Sequence, residues 1–164
     1  MNTFTKILLI LAVILLGGFL LLQLVPYGRN HTNPPVVSEP NWDSPETRAL
    51  AERACFDCHS NESEWPWYSN VAPVSWLVAH DVEEGRSRLN FSEWGSGKEG
   101  EEAEEIVRAI RSGAMPPAIF LPMHPEAKLT PAEQEALIQG ISKTTGQSVG
   151  TMEFGEGDRD NDGD

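Results

Sequence analysis

Hydrophobic positions in this chain fall into one unbroken run near the N-terminus, followed by several stretches with helical spacing. In the run Ile7 to Val25, Gln23 is the only strongly polar side chain. At helical rise that run just crosses a bilayer core, and Gly17 and Gly18 are tolerated in membrane helices. Lys6 ahead of the run also fits a signal peptide. The run is long for a signal, however, and Gln23-Leu24-Val25-Pro26-Tyr27 offers no small-x-small cleavage site, so an uncleaved anchor is favoured. Further on, Ser44 caps a helix that opens Pro45-Glu46, with Leu50, Ala51 and Ala54 on one face. A second helix covers Ser75 to Arg88, with Trp76, Val78, Ala79 and Val82 apolar. A third covers Glu101 to Arg111, where Ala103, Ile106, Val107 and Ile110 recur at i, i+3, i+4 and i+7; its acidic start and basic end suit the helix dipole. Gly113 sits where a C-terminal cap belongs. Thr130-Pro131-Ala132-Glu133 is a capping box that opens a last helix through Leu137, Ile138 and Ile141, ending between Ser142 and Gly146. No stretch sustains strand alternation, so the fold class is all-α, with one transmembrane helix ahead of a small helical domain.

The segments between show no helical period. Arg29 to Trp42 carries three prolines and reads as an extended tether contributing no core, so that a chain starting near Asn33 folds normally. Glu153 to Asp164 is glycine-rich and acidic, a solvated tail. Within it, Asp158, Asp160, Asp162 and Gly163 match the opening of a calcium loop, but the closing glutamate and exiting helix are missing. The chain divides into an anchor (1–25), a Pro-rich linker (26–42), one domain (43–146) and the tail (147–164).

The formal net charge is −13, and every acidic residue lies after the anchor. That excludes nucleic acid, since nothing neutralises phosphates, and disfavours adhesion to an anionic lipid surface. It permits steering toward a basic partner, although solubility alone explains it equally well.

The candidate chemistry lies at the end of the first domain helix, in Cys55-Phe56-Asp57-Cys58-His59. Two thiols three positions apart can each add across one vinyl group of a single haem. The histidine that follows then supplies the proximal iron ligand, the pattern of c-type attachment. The chain holds only two cysteines and four histidines, so chance placement of this pattern is remote. A thiol–disulfide exchanger would also use Cys-x-x-Cys, but no strand-helix-strand pattern surrounds it and the adjacent histidine is better explained by iron. Thioether formation on the outer side of the membrane places residues 26 onward on a bacterial periplasmic face. Lys6 and the terminal amine give a faint charge bias the same way.

Four downstream side chains are candidates for the distal iron position: His80, Met115, Met123 and His124. Met115 is preferred, because it follows a capped helix and is stiffened by Pro116 and Pro117, in keeping with His/Met ligation. His124 or Met123 could swing in from the same loop, and His80 sits on a helix. Trp65, Trp67, Trp76 and Trp94 could wall a haem pocket; filling a small core is the commoner role.

The stretch CFDCHSNESEWPWYSNVAPVSWLVAHDVEEGRSRLNFSEW, with AMPP and HPEAKLTPAE later, resembles the bacterial haem-binding domain family over about Ala51 to Gly140. The order of helix, Cys-x-x-Cys-His, Met-Pro loop and final helix is also similar to the layout of a monohaem class I cytochrome c. The resemblance implies one covalent haem c on Cys55 and Cys58, with His59 proximal. The resulting expectation is a non-enzymatic electron carrier anchored to the bacterial inner membrane, its haem domain facing the periplasm and meeting redox protein partners. The alternative is a haem sensor or peroxidase-type enzyme with a displaceable distal ligand. Carbon monoxide binding separates the two.

Overall fold

The structure, a computed structural model, describes residues 2–95 and 99–146, with side chains from Ala103 onward in the second stretch. The calcium-loop motif and the acidic tail lie outside the described residues. Among the described residues there are five helices: α1 (Thr3–Leu22), α2 (Pro45–His59), α3 (Val74–Arg88), α4 (Glu99–Arg111) and α5 (Pro131–Thr145). Single 3₁₀ turns occur at Trp67–Asn70 and Pro125–Ala127. Among the described residues there is no strand, only one isolated bridge between Ser38 and Glu93. The all-α expectation holds.

Local capping explains where the helices begin and end. The Ser44 hydroxyl accepts the Thr47 N–H at 3.2 Å, with Pro45 at the first helical position. At α5, Thr130 Oγ1 accepts the Glu133 N–H (3.3 Å) and Glu133 Oε2 accepts the Thr130 N–H (2.7 Å), a reciprocal box. Arg53 Nη2 reaches from α2 to Glu133 Oε1 at 2.5 Å. The backbone donor of Thr130, and then Arg53, hold the Glu133 carboxyl down at about 2. The end of α4 is a Schellman turn: Gly113 N–H donates to Ile110 O and Ala114 N–H to Ala109 O, with Gly113 at φ 70°.

The α1 helix has no side chain buried within the protein and is apolar and long enough to cross a membrane. It stops at Leu22, three residues short of the apolar run. Pro26 disfavours helical backbone at the residue before it, and the Gln23 side chain is engaged elsewhere, as described below.

The core lies where α2, α4 and α5 meet. Leu50, Ala51 and Phe56 pack with Ile106 and Ile110, with Leu137, Ile138 and Ile141, and with Phe91 and Leu129 from the loops. The opposite flank of α2 packs on α3. The tryptophans divide between roles. Trp42 and Trp94 pack against the core, Trp65 stacks on His31 at 4.5 Å, and Trp67 is 74% exposed.

The segment between α1 and α2 is extended, as its prolines predict, but it is not free of the domain. Trp42 lies 5.4 Å from Phe91 and 6.3 Å from Phe56 between ring centres. Glu39 takes two hydrogen bonds from Arg48, at 2.8 and 2.9 Å. Val37 and Ser38 N–H groups donate to Ser92 O, Trp94 N–H donates to Ser38 O, and Asn33 Nδ2 donates to Ser63 O. The expectation that Arg29 to Trp42 contributes no core is therefore corrected: proline-rich composition limits helix formation without preventing docking of Trp42. Trp42→Ala is expected to cost about 3 kcal/mol in urea unfolding, as for other aromatic truncations. A loss below about 1 kcal/mol, the scale of a single hydrogen bond, would mean that the segment merely drapes over the domain.

Candidate functional site

Cys55, Cys58 and His59 occupy the last turn of α2. Their helical spacing turns Cys55 toward the α2–α4–α5 core, where it packs on the buried cluster. Cys58 instead faces α3 and an adjoining cleft. Burial pushes both thiols up, Cys55 to about 12 and Cys58 to about 11. Both are thus protonated near neutrality, the opposite of what a thiol–disulfide exchanger requires.

His59 is held at both backbone and ring. Its carbonyl accepts the Phe91 N–H at 2.8 Å. Its Nδ1 lies 3.1 Å from Gly85 O and 3.2 Å from Leu89 O, at the C-terminal end of α3. Carbonyl oxygens can only accept, so the proton resides on Nδ1 and the lone pair on Nε2. Burial pushes the imidazole below its ordinary value, partly opposed by these two hydrogen bonds. A neutral imidazole with Nδ1–H tied to backbone carbonyls is the form that presents Nε2 to a metal.

Gly85 makes this geometry possible. A Cβ built there would lie 3.0 Å from the Cys58 carbonyl carbon and 3.1 Å from Cys58 Cβ, and closer still to the carbonyl oxygen. Only glycine lets the backbones of α2 and α3 approach so closely. An isolated glycine inside a helical pattern was the available signal for this position. Next to it, Arg86 Nε donates to Ser60 O (2.7 Å), while Nη2 donates to Ser63 Oγ and Asn33 Oδ1 (both 2.9 Å). These bonds fix the loop that follows the motif.

The cleft beside Cys58 has a cavity volume of about 50 Å³ and opens to solvent. Tyr68, Val78, Val82, Phe120 and His124 line it, together with the carboxylates of Asp57, Glu64 and Asp81. Burial raises the Asp57 carboxyl above its ordinary range. The His124 ring stacks on Phe120 at 3.9 Å, with Nε2 at 2.6 Å from the Tyr68 hydroxyl and Nδ1 at 3.2 Å from Glu126 Oε1.

The four distal candidates are thus separated in space. His80 is exposed on α3 and lies 3.5 Å from Glu84. Met123 is 56% exposed. His124 alone of the four lines the cleft that contains Cys58, with a partner at each ring nitrogen. Met115 has its N–H bound to Ala109 O at the end of α4 (3.2 Å), and the residue is 39% exposed and not part of the cleft wall.

Two protonated thiols one helical turn apart and a neutral imidazole with a free Nε2 fit a haem held through Cys55, Cys58 and His59. Aromatic and aliphatic side chains wall the cleft beside Cys58, but at about 50 Å³ it is far smaller than a porphyrin macrocycle, and of the three motif residues only Cys58 lines it. No curated protein and no solved structure matches the chain. A family model does: the one described as the haem-binding domain matches residues 17–143, from within α1 almost to the end of α5 and through the whole docked segment between α1 and α2. Covering most of the chain, and with the motif fixed as this geometry fixes it, that match places the protein in the haem-binding domain family.

Proposed function

We propose that this chain is a membrane-anchored monohaem c-type cytochrome that exchanges electrons with protein partners. The observation that carries this reading is the His59 ring, fixed by the Gly85 and Leu89 carbonyls with Nε2 left as its only lone pair. Cys55 and Cys58 would form the two thioethers, His59 the proximal bond and Met115 the distal one. The haem supplies a one-electron couple at its iron. The protein's part would be to hold that group through Cys55, Cys58 and His59 and to supply its iron ligands. The carboxylates of Asp57, Glu64 and Asp81 would disfavour haem propionates at the cleft wall.

Met115 needs no proton and no hydrogen-bond partner to ligate iron. His124 would have to give up either Tyr68 or Glu126, so its role here is to pin the Met115–His124 loop against the Trp67–Asn70 turn. Residues 1–25 serve as the anchor and 43–146 as the haem domain, with haem meeting the reduced Cys55 and Cys58 thiols on the outer, periplasmic face. The charge of the exposed portion would steer basic redox proteins toward it. The exposure of Met115 favours one second reading, a sensor or peroxidase-type site whose distal ligand is displaced.

Protein matured with haem c machinery is expected to show an intact mass raised by one haem, and colour that resists acid–acetone extraction. Cys55→Ala or Cys58→Ala should leave one thioether and shift the pyridine haemochrome band. Extractable haem in the wild-type protein would overturn covalent attachment.

A further inference from the structure

The haem domain is fastened directly to the end of α1. Gln23, the first residue past that helix, makes a two-pronged contact with one loop residue: Nε2 donates to Ala72 O at 2.9 Å, and Oε1 accepts Ala72 N–H at 3.0 Å. Arg29 closes the turn by donating to Gln23 O. Gly28, at φ 76°, lies directly against the Ser75 carbonyl in the first turn of α3, and Tyr27 donates to Glu83 at 3.1 Å. The twenty residues of α1 extend about 30 Å, the thickness of a bilayer's hydrocarbon core. Gln23 then stands at the membrane–water boundary, and Ala72 with it.

Within five residues of Ala72 along the chain, on either side, the domain exposes apolar side chains that no part of the chain covers among the described residues. Trp67 is 74% exposed, Val74 43% and Leu77 44%, beside Leu24 at 75%, Val25 at 42% and Tyr27 at 43%. Val74 and Leu77 are one turn apart at the start of α3, two and five residues from Ala72. Tyrosine and tryptophan are the side chains that favour the headgroup layer. The net negative charge disfavours an anionic lipid surface, so the contact is apolar and aromatic rather than electrostatic.

We infer that Trp67, Val74 and Leu77 form a membrane-seating face that rests in the headgroup layer of the bilayer α1 spans. On that geometry the domain lies against the membrane in one orientation instead of ranging on a tether, and electron exchange is confined to partners that reach it along the membrane plane. The inference rests on the anchor reading of α1, and its test separates the two.

The full-length, haem-loaded protein would be reconstituted in phosphatidylcholine nanodiscs with the photoreactive residue p-benzoyl-phenylalanine replacing, one at a time, Leu15, Trp67, Val74, Leu77 and Ala136. The last is exposed on α5, which packs on the other flank of α2. After irradiation, variants at Leu15, Trp67, Val74 and Leu77 should each gain the mass of one phosphatidylcholine, and the Ala136 variant should not. Adducts at Leu15 without any at Trp67, Val74 or Leu77 overturn the seating face while leaving the anchor intact. No adduct at Leu15 overturns the anchor, and the seating face with it.

Discussion

Gly85→Ala is expected to destabilise the protein, against the usual sign for glycine-to-alanine in a helix. Alanine gains about 1 kcal/mol of helix propensity over glycine. Here its Cβ would collide with the Cys58 carbonyl, which is helix backbone and cannot rotate aside. Overpacking of this kind costs about 1–3 kcal/mol. Separating α2 from α3 also draws the Gly85 carbonyl away from His59 Nδ1, at about 1 kcal/mol for the lost hydrogen bond. The loss exceeds the gain. Gly85→Val, with a branched side chain, should cost more, about 3 kcal/mol or above. The urea midpoint should fall in that order with an unchanged slope, and haem incorporation should fall with it as His59 loses its fixed orientation. A higher midpoint for Gly85→Ala would show that the two helices do not meet at Cys58 and that the Gly85 carbonyl does not hold the His59 Nδ1 proton.

Met115→Ala is expected to change the iron's environment more than any other substitution in the loop. A thioether ligand raises the reduction potential relative to a second imidazole. Its removal should abolish the near-infrared sulfur-to-iron band of the ferric protein, lower the potential and admit carbon monoxide to the ferrous protein. Met115→His should retain six-coordination while still lowering the potential. His124→Ala removes the Tyr68 contact and the Phe120 stack, so it should loosen the loop while keeping the near-infrared band. If Met115→Ala leaves the spectrum untouched and His124→Ala alters it, the distal ligand is His124. Fast, stoichiometric carbon monoxide binding by the wild-type protein would favour the displaceable-ligand reading over the electron carrier.

The positions of the helices could be read from the chain because their signals are local. Ser44-Pro45 and Thr130-Pro131-Ala132-Glu133 satisfy orphan amides within one turn, and Ala103, Ile106 and Ile110 mark a buried face by spacing alone. The same locality made Cys55, Cys58 and His59 visible, since they share the last turn of one helix. The docking of residues 26–42 was not visible. Its contacts join Trp42 to Phe91, Asn33 to Ser63 and Tyr27 to Glu83, and extended backbone held by distant partners leaves no periodic trace.

By itself, then, the sequence determined an all-helical chain, one apolar helix of membrane length, and the thiols and imidazole that suit a haem, because each depends on neighbours within a few residues. Tertiary structure alone decided that Gly85 must be glycine, which nitrogen of His59 keeps its lone pair, that His124 lines the cleft while Met115 stands outside it, and that Gln23 fastens the domain to the end of α1. Each of these depends on the distance between backbones far apart in the chain, a quantity fixed only when the helices pack.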